Sequence, residues 1–202
     1  MSLPVPPRAT TTRDDILAAT YRLLYRAGFA RVSMEEIAAA AGVSKRTLYH
    51  HFDSKDALVA AVLDEQRAHA LAQFRAWGAE AETPEGYVGA VFAAMEAWAR
   101  RPHWLGSGFT RLSLELAHMP GHPARVAARN HKREVAAWLR DELSRRGTLH
   151  AKTLAGHVQI VMEGAMCLAL IHGDPACIAE AGRLATRLAI EASGAETGQE
   201  SC

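Results

Sequence analysis

The chain has 202 residues, enough for one large domain or for a small domain beside a medium one. Aliphatic residues and alanine dominate and aromatics are only 6%, which suits packed helices, while a net charge of +1 excludes a polycation that holds anionic partners by bulk charge. Cys167, Cys177 and Cys202 form an odd set with no CxxC pair, which excludes a disulfide framework.

Charge is distributed weakly: eight Lys/Arg stand against six Asp/Glu up to Ala60, and fifteen against sixteen from Ala61 onward. Any grip on an anion must come from local placement. Residues 1–11 are rich in Pro and Thr and lack the apolar core of a signal peptide. They read as a disordered arm carrying Arg8, with the cytoplasm as the expected location. The first helix is expected from about Thr12 to Ala27. Ile16, Leu17, Thr20, Leu23, Leu24 and Ala27 form one face of it at helical spacing. Gly28 ends this helix, and Phe29 and Val32 are placed to lock it onto the next.

The segment Ser33 to Leu58, SMEEIAAAAGVSKRTLYHHFDSKDAL, is the most informative in the chain. Ser33 and Glu36 have capping-box spacing. A helix over about Met34 to Ala41 follows, with Ile37, Ala38 and Ala41 facing inward. Gly42 supplies the left-handed turn that commonly ends a helix. Ser44 caps a third helix, Lys45 to about His51, which Leu48 and Phe52 turn toward the core. Ser54 caps a fourth, beginning at Lys55. This is the layout of a helix-turn-helix, which places its second helix in the major groove of DNA. Lys45 and Arg46 suit phosphates or guanine edges. Thr47, Tyr49 and His50 suit phosphate contacts that fix register. The candidate DNA-binding set is Ser33, Ser44, Lys45, Arg46, Thr47, Tyr49, His50 and Lys55.

The skeleton AGF…S…IA..AGVS..TLY.HF.SK..L, carried by Arg13 to Leu63, resembles the TetR (tetracycline-repressor-like) family of bacterial transcriptional regulators. The resemblance implies an all-α homodimer with a head at residues 12–60 and a helical ligand-binding and dimerisation domain at 61–193. It also implies that a small-molecule effector alters the separation of the two DNA-reading heads.

The remaining chain reads as helices throughout. The fourth is expected to run from Lys55 to about Trp77, from the head into the next domain. Thr83-Pro84 starts a fifth, ending near Arg100. A sixth is expected over Trp104 to His118, and the loop HMPGHP follows. A seventh runs from Pro123 to about Arg146, with Val135, Trp138, Leu139 and Leu143 at core spacing. An eighth runs from Leu149 to His172. A ninth ends near Ser193, and 194–202 reads as a frayed tail. Thr153 to Gly173 holds one charged residue, Glu163, in 21 positions. That length would cross a bilayer, but His157, Gln159, Glu163 and the glycines argue against a span, so no membrane is expected. The apolar character instead predicts burial on two sides, one facing a partner chain. The expected dimer face on the ninth helix is Ile178, Ala181, Gly182, Ala185, Leu188 and Ala189. The sketch of an effector pocket is Trp98, His103, Trp104, Phe109, His131, Met162, Glu163 and Met166. Glu163 and His157 each need a partner if buried, and suit either a polar ligand or the dimer seam.

His118 and His122 are four apart, but Pro120 and Gly121 break the helix that would align them, so no metal site is expected. No GxSxG, Walker, GxGxxG or HExxH string is present. No cofactor and no catalytic residue are therefore proposed. The expected function is sequence-specific binding of a palindromic operator in double-stranded DNA by a repressor that an unidentified small molecule releases. Two alternatives stay open: a DNA-binding regulator without an effector, and a helical enzyme or binding protein.

Overall fold

The structure is a computed structural model that describes residues 12–194. The expected arm at 1–11, with Arg8, and the tail from residue 195, with Cys202, lie outside the described residues. Among the described residues the fold is all-α. Its helices are α1 Thr12–Ala27, α2 Met34–Ala41, α3 Lys45–His51, α4 Lys55–Ala76, α5 Pro84–Ala99, α6 Gly108–Glu115, α7 Pro123–Arg145, α8 Ala151–His172 and α9 Ala176–Gly194. The first three match their expected bounds. The sixth does not: α6 starts four residues later than Trp104 and ends three before His118. Gly106 takes φ 76° and His103 φ 62°, both left-handed, so the chain cannot enter a helix until Gly108.

The chain forms two compact units. The first holds residues 12–66 together with Gly108–Ala128, and the second holds Arg67–Ser107 with the chain from Arg129 onward. Two of the three divisions fall inside long helices, so α4 and α7 each contribute residues to both units. The sequence reading places α6 with the C-terminal part of the chain, whereas here it is grouped with the head.

In the first unit the core is Ile16, Leu17, Val32, Met34, Ile37, Ala38, Leu48, Phe52, Leu58 and Val62. Ile16, Ile37, Leu48 and Leu58 are fully buried. Helices α1 to α4 meet through these side chains, each large buried group contributing roughly 1.5–3 kcal/mol of hydrophobic stabilisation. The second unit is a helical bundle in which α5 packs chiefly on α9, and α8 on α9. Its core joins Tyr87, Val91, Phe92 and Met95 of α5 to Leu139 and Leu143 of α7, Val158 and Met162 of α8, and Ile178, Ala185 and Ala189 of α9.

Candidate nucleic-acid interface

The local chemistry of the helix-turn-helix is visible atom by atom. The Ser33 hydroxyl accepts the Glu36 backbone N–H at 3.2 Å, and the Glu36 carboxylate accepts the Ser33 N–H at 2.8 Å, closing the capping box. Those bonds hold the Glu36 carboxyl below its ordinary range. Gly42 takes φ 68° and donates its N–H back to α2, and the Val43 N–H reaches the Ala38 carbonyl at 3.0 Å. Ser44 Oγ caps α3 by accepting the Thr47 N–H at 3.0 Å, and its hydroxyl meets that of Thr47 at 2.8 Å. Ser54 Oγ accepts the Ala57 N–H at 3.1 Å at the start of α4.

These caps set the direction of α3, and Leu48 anchors it with no exposed surface. The opposite side faces solvent: Lys45, Arg46, His50 and His51 are exposed, and Tyr49 is 44% exposed. Lys45 makes an ion pair with Glu35 of α2. That carboxylate holds the ammonium above its usual pKa range and is itself lowered by the contact. Both side chains are open to water, so the pair is screened and easily exchanged for a phosphate.

Three members of the candidate set have structural work of their own. Ser33 and Ser44 are committed to capping. Lys55 donates to the Phe29 carbonyl at 2.5 Å and sits 4.1 Å from the centre of the Phe29 ring. Burial lowers its pKa. Its placement at the α1–α2 turn is that of a tether.

That turn is held by a joint with no sequence signature. Glu115, the last residue of α6, accepts the backbone N–H groups of Phe29 at 2.8 Å and of Ala30 at 2.6 Å. Arg111, one turn earlier, donates to the Tyr25 carbonyl at 2.8 Å near the end of α1. Buried His122 sits edge-on to the Phe29 ring at 5.2 Å, with its Nε2 3.2 Å from the Asp56 carboxylate. Gly28 takes φ 85°, and a Cβ there would come within 3.0 Å of the Glu115 carboxylate. The turn therefore needs glycine for its backbone and for the approach of the clamp.

In the second unit an aromatic row runs Trp138–Phe74–Trp77–Trp98–Trp104, with successive ring centres 4.9–6.3 Å apart. Three polar atoms beside these rings, Trp104 Nε1, Trp138 Nε1 and Tyr87 Oη, are buried without a hydrogen-bond partner among the described residues. Of the sketched effector pocket, Trp98, Trp104, His131, Met162, Glu163 and Met166 belong to this unit. His103 also does, but it lies in a turn and is exposed, and Phe109 belongs to the first unit. Glu163 pairs with Lys132 at 2.5 Å, and Gln159 donates to the Lys132 carbonyl at 2.8 Å. Thus two of the polar residues of α8 are anchored within the bundle. His157 is exposed.

The dimer face expected on α9 is corrected. Ile178, Ala185 and Ala189 are fully buried in the chain's own core, and a Cβ at Gly182 would strike Phe92 at 2.8 Å. Ala181 and Leu188 pack against the same core. The small residues permit close approach of α9 to α5. The large apolar side chains left open on these two helices are Ile160 (71% exposed), Leu168, Leu170 and Ile171 (74%) of α8, and Leu184 and Ile190 of α9. Cβ positions at Gly156 and Gly164 meet nothing. Helix α8 is long and apolar enough to cross a membrane, but only 39% of its most apolar window is buried within the chain.

Residues 16–62 match the model of bacterial regulatory proteins of the tetR family. This covers α1 to α3 and the first part of α4, the elements whose geometry is that of a helix-turn-helix. Across the fold, a TetR-type transcriptional regulator from Streptomyces avermitilis matches 90% of this chain and 99% of its own, at 31% identity and a TM-score of 0.78. The chain belongs to the TetR family. A second TetR-family regulator, SCO4454 from Streptomyces coelicolor, matches at 26% identity and a TM-score of 0.79, covering 90% of this chain and 96% of that one. Among sequence relatives, the transcriptional regulator UidR of Escherichia coli is 42% identical over 67 residues, 33% of this chain and 34% of that protein. The match thus spans about a third of such a relative's length. This TetR-family protein is a DNA-binding transcriptional regulator and not an enzyme.

Proposed function

We propose that this regulator is a cytoplasmic homodimeric repressor that reads a palindromic operator through α3 and is released by a small-molecule effector held in the second unit. The observation that carries the DNA reading is the two-sidedness of α3. Leu48 is locked into the core while Lys45, Arg46, Tyr49 and His50 stand open on one helix. Arg46, and Lys45 once it leaves Glu35, supply base or phosphate contacts, and Tyr49 and His50 supply register.

A dimer is supported by the open apolar stripe on α8. Ile160, Gly164, Leu168 and Ile171 share a face at helical spacing. The two open glycines let a second helix approach closely, and α9 adds Leu184 and Ile190. A contiguous exposed apolar stripe suits a protein–protein interface. Two copies meeting through it place two heads on one duplex, which reads half-sites about one helical turn apart.

An effector is supported by the aromatic row and by the buried donors of Trp104, Trp138 and Tyr87. Unpaired buried polar atoms are costly, and acceptor atoms on an aromatic ligand would satisfy them. Release of DNA then requires only a few kcal/mol of differential affinity between two head spacings. Selection of sites from random duplex DNA, followed by a screen of aromatic compounds for release of the selected site, tests the proposal. A palindrome released by one compound class is expected. A selected site that no compound loosens would remove the effector and leave a partner-controlled regulator.

A further inference from the structure

We propose that the cleft between α1, α4 and α6 in the DNA-binding unit is a second small-molecule site, taking an uncharged aromatic compound of one or two rings. It is separate from the effector core proposed in the second unit.

The cleft has a volume of about 240 Å3. A dry apolar cavity of roughly 150 Å3 accepts benzene, and drug-sized sites begin near about 300 Å3. This one therefore fits a substituted benzene or a fused pair of rings and little more. Its walls are apolar: Val62 and Leu63 come from α4, Leu112 from α6 and Leu24 from α1. Tyr21 and Tyr25, stacked with ring centres 5.8 Å apart, add aromatic surface. Leu114, 67% exposed, stands at the rim as apolar surface for an occupant to cover.

Charge selects the class of occupant. Among the described residues, Arg111 and Glu115 are the only charged ones that line the cleft, one of each sign. Arg111 is engaged with the Tyr25 carbonyl, and Glu115 with the Phe29 and Ala30 N–H groups. An ionic ligand paired with either residue would have to displace one of these contacts and would meet a charge of its own sign on the other. A neutral ring enters without that cost. The Tyr21 phenol, its pKa raised by burial and then by Tyr25, stays protonated as a donor to a polar substituent. Because the same two side chains line the cleft and hold the α1–α2 turn, an occupant rests against the clamp. Its binding favours the clamped form, in which the cleft is present.

The test uses β-naphthol with the full-length protein, by titration calorimetry and by following the amide signals of Phe29 and Ala30. The decisive variant is Gly108→Leu. A Cβ at Gly108 meets only Tyr25 Cδ2, at an ordinary 3.8 Å, and Gly108 is not among the left-handed glycines. Because Gly108 lines the cleft and has room for a Cβ, leucine there is expected to occupy the cleft without touching the clamp residues. Saturable binding to the wild type that shifts both amides, with affinity reduced about tenfold or more in Gly108→Leu, is the expected result. Leu114→Glu at the open rim should weaken binding in the same direction, and keeps the test open should Gly108→Leu not fold. Equal binding to these variants would place the compound elsewhere and overturn the proposal. Absence of saturable binding to the wild type up to about 1 mM would overturn it equally.

Discussion

Replacing Glu115 with alanine is expected to loosen the α1–α2 turn while leaving the recognition helix formed. The carboxylate accepts two backbone N–H groups at 2.8 and 2.6 Å. Hydrogen bonds to a charged acceptor are worth about 1.5–3 kcal/mol each when shielded. Glu115 is exposed, so screening and competition with water reduce the pair to about 1–2 kcal/mol in total. Every 1.4 kcal/mol is a factor of ten, so the local opening equilibrium rises roughly 5–30-fold. Native-state hydrogen exchange reads this directly. The Phe29 and Ala30 amides should lose protection by that factor in Glu115→Ala. Glu115→Gln, which retains one acceptor oxygen, should lie between. Amides of α3 behind Leu48 should keep nearly all their protection, because their anchor is untouched. Unchanged exchange at both Phe29 and Ala30 would refute the reasoning, since the contact would then hold nothing.

Other outcomes follow from the same geometry. Glu35→Gln frees Lys45, so binding to DNA of any sequence should tighten severalfold and the salt slope should steepen by about one unit; an unaltered slope would mean that Lys45 meets no phosphate. Arg46→Ala should relax preference at particular base pairs by about 1–3 kcal/mol if it makes a bidentate base contact, read by repeating the site selection. Ile160→Asp combined with Ile171→Asp should give folded monomers by light scattering; an intact dimer would exclude the α8 stripe as the interface. Burial, with smaller contributions from Lys132 and Arg67, depresses the His131 pKa to about 3. The unfolded chain therefore binds the extra proton between that value and the usual 6.5, and stability falls as pH drops through this window. About 1–2 kcal/mol should be lost from this residue between pH 7 and pH 5, and denaturation of His131→Phe should show a correspondingly shallower acid slope.

The local chemistry of the head was legible because each signal acts within a few residues. Ser33 with Glu36, Gly42, and Ser44 with Thr47 are contacts three to five positions apart, and α1 to α3 form where they place them. The clamp was not legible, because Glu115 and its partners are separated by 85 and 86 residues. A lone acid at the end of a short helix gives no sign of where it will dock. Helix α9 misled for a different reason. Ala181, Gly182, Ala185 and Ala189 mark close approach between helices, but a stripe of small residues does not state whether the neighbour is α5 or another chain. The large apolar residues of α8 carry the proposed interface instead. Ile160 and Ile171 have no place in the chain's own core, which only the packed structure shows. His103 stands in a turn because it and Gly106 take left-handed conformations that delay α6, and Phe109 groups with the first unit.

The central claim is that α3, carried by a dimer, reads a palindrome. Selection of binding sites from random duplex DNA by the full-length protein at near-physiological salt tests it most directly. The account predicts enrichment of an inverted repeat with half-site centres about one helical turn apart, roughly 10 base pairs, and loss of that enrichment in Ile160→Asp/Ile171→Asp. Retention of DNA without sequence enrichment, weakening steeply with salt, would contradict it.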